Sequence, residues 1–301
     1  MKTIDLTVLA VESNVNRAYL EYLRASNFQP KKIIDIKIKN RKIYYDMIKK
    51  LLGEKIAENL YDAYRIHYKK KQPIRREDQT VDKKKYKELG KIFIEFADAK
   101  PNFFSAIDYS QYCINVEKIK VSDINDKKLI SFLEKQECKT FLFTGGGILK
   151  DQIFKIRDSR FIHVHPGIVP EVKGSDGLLW SILIKGNTGM SCFYMNRGID
   201  TGEIIYTREY INLLSKLDID IDYYGYYNIY RALLDFYDPI LRARTLVSML
   251  KEVGDNKLNN LPTTCQSPND GRMYYLMHPK IREKAIEAFL LKDNRETMQD
   301  N

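Results

Sequence analysis

Two histidines, His163 and His165, stand two residues apart in FIHVHPG, at the end of an apolar run and directly before Pro166. Alternation along a strand puts residues i and i+2 on one face, so both imidazoles project together while Val164 points into the opposite layer. Proline cannot donate to a strand ladder, so the strand is predicted to stop at Pro166 and leave both rings near its edge. Three chemistries suit such a pair. Both rings can be structural, satisfied by hydrogen bonds. Both can ligate one metal ion, although a catalytic zinc site usually takes three protein ligands. His67 and His278 lie at no ligand spacing, and Asp176 or Asp200 would complete that set. Alternatively, one ring can run general acid–base catalysis, which needs an imidazole poised near neutral pH and a carboxylate beside it. Asp200, in GIDTG between two predicted strands, is the candidate carboxylate.

The elements that must position these residues read as an open α/β fold. LTVLAV (6–11) is predicted as a buried strand, SNVNRAYLEYLRASNF as a helix capped by Ser13, and KKIIDIKI (31–38) as a second strand. Strand–helix–strand at this spacing favours a parallel sheet covered by helices. Tyr44, Ile48, Leu52, Ile56, Leu60 and Tyr64 recur every four residues, the stripe of an amphipathic helix. FFSAIDY and QYCINVEKI read as short strands, as do KTFLFTGGG (139–147) and SRFIHVHPG (159–167). GMSCFYM (189–195) and EIIYTREY (203–210) form a predicted strand pair joined by NRGIDTG. From 226 onward the chain reads as helical, with Asp238-Pro239 opening a new helix that Gly254 ends and a last helix from His278-Pro279. We therefore expect a Rossmann-like, mostly parallel sheet with a helical C-terminal extension. Residues 1–210 form the α/β domain, with a basic helical insertion at about 41–91, and 211–301 form a helical region packed on it.

The chain has 301 residues and a net charge of +10, with lysines clustered in KKKQPIRRE (69–77) and DKKKYKELGK (82–91). We read these clusters as a solvated helical face rather than a nucleic-acid contact, and the positive field as one that draws in an anionic small substrate. No apolar run approaches a membrane span and the N-terminus lacks a signal-peptide pattern, so the expected compartment is the cytoplasm. Cys113, Cys138, Cys192 and Cys265 form no CxxC pair and read as buried reduced thiols.

The order FLFTGGGIL, FIHVHPGIVPEVKG, GMSCFYMNRGIDTGEIIY resembles the formyltransferase catalytic domain, clearly over about 139–210 and more loosely over the N-terminal strand–helix–strand. That family includes methionyl-tRNA formyltransferase, glycinamide ribonucleotide transformylase and nucleotide-sugar N-formyltransferases. The resemblance implies a Rossmann-like sheet, N10-formyltetrahydrofolate as donor, a primary amine as acceptor and no metal. The family motif runs Asn-x-His-Pro or Asn-x-His-Gly, then Leu-Pro-x-x-Arg-Gly, then Asp-Thr-Gly. It implies a catalytic histidine at His165, with Asp200 holding it in the useful tautomer. Pro170 and Gly174 match the substrate loop, with Lys173 where arginine is usual. The loop that approaches the pterin falls on Thr144, Gly145, Gly146, Gly147, Ile148 and Leu149, and Gly198 and Ile199 border the same pocket. His163 replaces an asparagine whose amide donates to the formyl oxygen as it becomes an oxyanion, a role that an imidazole N–H can also fill. A nucleotide-linked amino sugar suits the positive charge as acceptor. Initiator tRNA suits it less, because the last third reads as helical rather than as the β-barrel of the tRNA enzyme.

Several other residues have plainer readings. GGGILK lacks the GxxxxGK[ST] of a phosphate loop. Ser175 and Asp176 read as the cap of the helix that carries Trp180, itself a core residue. MYYLMHP (273–279) is expected to pack against the last helix, with His278 structural.

Overall fold

The computed structural model describes residues 1–38, 81–211, 217, 219–254, 257–267 and 269–290. The predicted stripe from Tyr44 to Tyr64 and the cluster 69–77 lie outside the described residues. Strand β1 (Lys2–Val11) is buried on both faces from Leu6 to Ala10, the pattern of a central strand covered on two sides. Helix α1 (Asn14–Ala25) begins where Ser13 accepts from the Asn16 amide, as predicted, and β2 (Phe28–Ile38) returns parallel to β1. Helix α2 (Lys83–Glu95) is capped by Asp82, so this end of the basic segment is helical.

The sheet is completed by β3 (Val116–Val121), β4 (Thr140–Phe143), β5 (Arg160–His165), β7 (Thr188–Tyr194) and β8 (Ile204–Tyr210), with helix α3 (Lys127–Glu134) between β3 and β4. Its spatial order is β3-β2-β1-β4-β5-β7-β8, parallel through β5 and antiparallel thereafter. Short strand β6 (Val172–Gly174) and helix α4 (Gly177–Lys185) lie between β5 and β7. After β8 come α5 (Ile221–Tyr224), α6 (Tyr226–Ala232), α7 (Asp238–Val253), β9 (Arg272–Tyr274) and α8 (Pro279–Leu290). The architecture is thus the predicted Rossmann-like α/β sheet with a helical C-terminal extension. Two cores cover its faces. Leu142, Ile162 and Val164 join the larger one with α1 and α7, while Phe141, Phe143 and Phe161 join the smaller. Among the described residues, no helix is long and apolar enough to cross a membrane.

Local predictions fail where side chains compete with the backbone. FFSAIDY forms no strand: Asn102 accepts from the amides of Phe104 and Ser105, and Asp108 accepts from that of Ser110, which holds the segment in turns. QYCINVEKI becomes a strand only from Val116. Helix α7 does open at Asp238-Pro239 and end at Gly254, as predicted, but Asp238 stands inside the helix rather than at its N-cap. A π-helical turn, Leu233–Tyr237, carries α6 straight into α7 without a break in the helical backbone. The C-terminal third is not purely helical either, since β9 pairs in parallel with β6. Of MYYLMHP, Met277 is buried, but Tyr275 is 76 % exposed. Three cysteines are buried, whereas Cys265 is exposed.

Candidate active site

Strand β5 delivers His163 and His165 to one face, because Val164 between them packs into the larger core with Ile162. Directly after Pro166 the chain turns back over the strand end. Ser191 of β7 accepts from the Val169 amide and donates to the Gly167 carbonyl, which pins this loop to its neighbour. The turn brings the Val172 carbonyl to 3.0 Å from Nε2 of His165. A carbonyl oxygen only accepts, so Nε2 carries the proton and Nδ1 presents its lone pair in the neutral ring.

That lone pair faces Asp200, whose Oδ2 lies 3.4 Å from Nδ1, with the two side chains 12% and 4% exposed. Asp200 sits at φ 53°, in the left-handed region that aspartate tolerates better than most residues. Its loop is tied twice. Asn196 accepts from the Gly198 amide and the Thr201 hydroxyl, and Gln266 donates to the carbonyls of Asp200 and Gly202. The Gly174 amide donates to Oδ2 at 2.8 Å, so β6 fixes the carboxylate from the other side. Gly174 has to be glycine here, since its φ is +95° and a Cβ would stand 2.1 Å from the Tyr274 carbonyl oxygen. The tautomer of His165 is thus set by Val172 rather than by Asp200, which corrects the role implied by the resemblance. Asp200 lies against the nitrogen that would receive a proton.

His163 lies between Phe143 and Phe193, with ring centroids 5.8 and 5.7 Å away. Its Nδ1 is buried and has no hydrogen-bond partner among the described residues. Burial, then the charges of Arg242 and His165, hold its pKa well below the ordinary histidine value. Burial lowers that of His165 too, with Asp200 working against it and Arg242 with it. Both rings therefore favour the neutral form. Arg242, on α7, is largely buried; its Nη1 donates to the Val164 carbonyl between the two histidines, and its Nε bonds both oxygens of Asp238.

The remaining expected residues surround this centre unevenly. The Thr144 hydroxyl donates to the Leu9 carbonyl and accepts from the Val11 amide, which locks the end of β4 to β1. Thr144→Val removes both bonds and should cost about 1 kcal/mol or somewhat more, read as a lower denaturant midpoint at unchanged slope. Gly145, Gly146 and Gly147 follow at φ values of 138°, 107° and 121°, and Ile148 beyond them is 72% exposed. This turn stands where β1 and β4 diverge, at the carboxyl ends of the strands, where open α/β sheets bind ligands. Leu149 borders a cleft of about 560 Å³ with Asn125 and Lys150. Gly198 borders another, of about 440 Å³, with Phe154, Phe161, Met195 and Arg197, and Ile199 beside it is half exposed. These two clefts have no lining residue in common among the described residues.

Lys173 is buried and its Nζ donates to the Asp270 carbonyl, so it anchors β6 to the C-terminal segment. Pro170, after a cis peptide bond, packs its carbonyl against Gly271. Asp176 occupies the predicted cap position of α4, but its carboxylate accepts from the Tyr230 hydroxyl and the Met277 amide instead. Trp180 is only partly buried, and its indole N–H donates to the Tyr275 carbonyl. His278 is exposed and far from the pair in the chain. Arg242 and Gln266 were not anticipated. Asp238 and Arg242 are an i,i+4 charged pair within the apolar DPILRARTL, a readable signal of a buried ion pair; Gln266 lies in coil and carries no such signal.

No family model matches the chain. Methionyl-tRNA formyltransferase of Syntrophus aciditrophicus (strain SB) is 32% identical over 89 residues, 29% of this chain and 28% of that protein. The enzyme of the same name from Pelotomaculum thermopropionicum is 25% identical over 147 residues, 48% of this chain and 42% of that protein. The chain thus spans well under half the length of these curated relatives. Among solved structures, a 4-N formyltransferase from Francisella tularensis superposes with a TM-score of 0.44 at 14% identity, covering 97% of this chain and 87% of that one. The formyltransferase PseJ from Anoxybacillus kamchatkensis gives 0.36 at 23% identity, covering 60% and 82%.

Proposed function

We propose that this chain, a partial sequence relative of the formyltransferases, moves a formyl group from N10-formyltetrahydrofolate to a primary amine. The observation that carries this reading is the division of labour at His165: Nε2 is committed to a backbone carbonyl, and Nδ1 faces a carboxylate at 3.4 Å. The amine nitrogen attacks the formyl carbon, and the carbonyl oxygen becomes an oxyanion. His163, whose Nδ1 has no partner among the described residues, donates an N–H to that oxygen. His165 Nδ1 accepts the amine proton, and Asp200 stabilises the imidazolium so formed. The proton then passes to N10 as the carbon–N10 bond breaks, which releases tetrahydrofolate and the formylated amine.

In this reading the donor lies along Thr144, Gly145, Gly146, Gly147, Ile148 and Leu149, with Gly198 and Ile199 at its edge. Pro170, Lys173 and Gly174 act on the substrate indirectly, by holding the Gly174 amide against Asp200. An anionic acceptor, such as a nucleotide-linked amino sugar, suits the net charge of +10 and a cytoplasmic reaction. A thermal-shift screen of folates against nucleotide sugars and amino acids tests the binding half of this reading. A folate that binds only the folded state should raise the melting temperature in proportion to the logarithm of its concentration. No shift with any folate would count against it.

A further inference from the structure

We propose that His163, His165 and Asp200 also form a binding site for one divalent transition-metal ion of the zinc or cobalt(II) class. The inference uses the site of the proposed reaction but does not depend on that reaction. One ligand atom from each of the three residues lies within 4.8 Å of the other two. The 3.4 Å between His165 Nδ1 and Asp200 Oδ2 is close to the edge of a tetrahedron with metal–ligand bonds of ~2.0–2.1 Å, roughly 3.3 Å.

The surroundings are those of a metal ligand set. A ligating histidine usually donates its other N–H to a carbonyl or carboxylate, and His165 Nε2 donates to Val172. The carboxylate is oriented as well, by the Gly174 amide on Oδ2. In the neutral ring, the Nδ1 lone pair and the Asp200 oxygen are two acceptors facing each other. That arrangement is favourable only with a proton or a metal ion between them. His163 adds a buried Nδ1 with no partner among the described residues, an omission that ordinarily costs free energy and that coordination would remove. Two imidazoles and one carboxylate suit zinc, cobalt(II) or iron(II) and not the oxygen-seeking magnesium or calcium. Arg242 behind the strand does not oppose the ion alone, because Asp238 binds its Nε through both oxygens.

Three protein ligands leave a fourth position open to water or a ligand oxygen. The ion would occupy the lone pair that formyl transfer needs as a base. Metal binding and transfer are therefore exclusive uses of His165, and a bound ion switches transfer off.

Titration of the metal-free full chain with Co²⁺ tests the site directly. The expected result is one equivalent bound with visible d–d absorption, displaced by Zn²⁺, and lost in both His163→Asn and Asp200→Asn. His278→Asn, at an exposed histidine, should bind as the wild type does. A readout independent of variants is ¹⁵N labelling of the histidines. Zn²⁺ should move the imidazole resonances of two histidines in the wild-type chain and leave the others in place. No uptake by the wild type, or uptake retained in both variants, overturns the proposal. Formyl transfer assayed in excess chelator separates the two readings. Transfer without metal binding removes only the metal site, and metal binding without transfer to any amine removes only the transferase.

Discussion

If the proposed mechanism holds, His165→Gln should lower formyl transfer by roughly 10²–10⁴-fold, the usual contribution of a positioned acid–base group, and leave the fold intact. Glutamine keeps an amide N–H to offer the Val172 carbonyl, so the loop after Pro166 retains its anchor. What it lacks is a basic lone pair facing Asp200. The loss should therefore appear in kcat rather than in folate binding, with the melting temperature nearly unchanged. Steady-state kinetics beside a thermal melt checks this. A variant that binds folate and transfers at the wild-type rate would show that the proton goes elsewhere.

Arg242→Met should destabilise the protein by about 3–5 kcal/mol, because removing one partner of a buried ion pair strands the other. Asp238 is buried and its two oxygens have Arg242 Nε as their common donor, so the methionine leaves a carboxylate without its counter-charge. The Val164 carbonyl loses a donor in the same step. Such a loss is a large share of the ~5–15 kcal/mol that holds an ordinary domain together. Replacing both partners, Asp238→Leu with Arg242→Met, should recover much of it, since a buried pair is often no better than apolar residues of similar size. Urea unfolding of the two variants measures both. Equal stability of the single and double variants would mean that Asp238 is already satisfied without the arginine.

Much of this site is legible in one sequence because it rests on short-range rules. Period-two alternation puts His163 and His165 on one face, Pro166 ends the strand, and a glycine-bearing turn positions Asp200. The parallel sheet follows from strands alternating with helices, and β1, α1, β2, β4, β5, β7 and β8 all form where apolar runs predict them. Longer-range effects are not legible in this way. The tautomer of His165 depends on a carbonyl that a folded-back loop presents, and the Asp200 loop is tied by Gln266, 66 residues downstream. Lys173 reads as a substrate contact from the resemblance, but a backbone carbonyl of Asp270 claims its ammonium. FFSAIDY has the composition of a strand, and the side chains of Asn102 and Asp108 divert its backbone into turns.

The central claim is that a neutral His165, backed by Asp200, carries a proton between an amine and the folate nitrogen. The most direct test is a single-turnover reaction of the chain with N10-formyltetrahydrofolate carrying a ¹⁴C-labelled formyl group, in excess chelator, over a panel of amino sugars and other amines. We expect label on one class of amine and release of tetrahydrofolate in equal amount, with Asp200→Asn slower by at least ~10²-fold. Label that stays on the folate with every amine, or a rate indifferent to Asp200→Asn, would contradict the account.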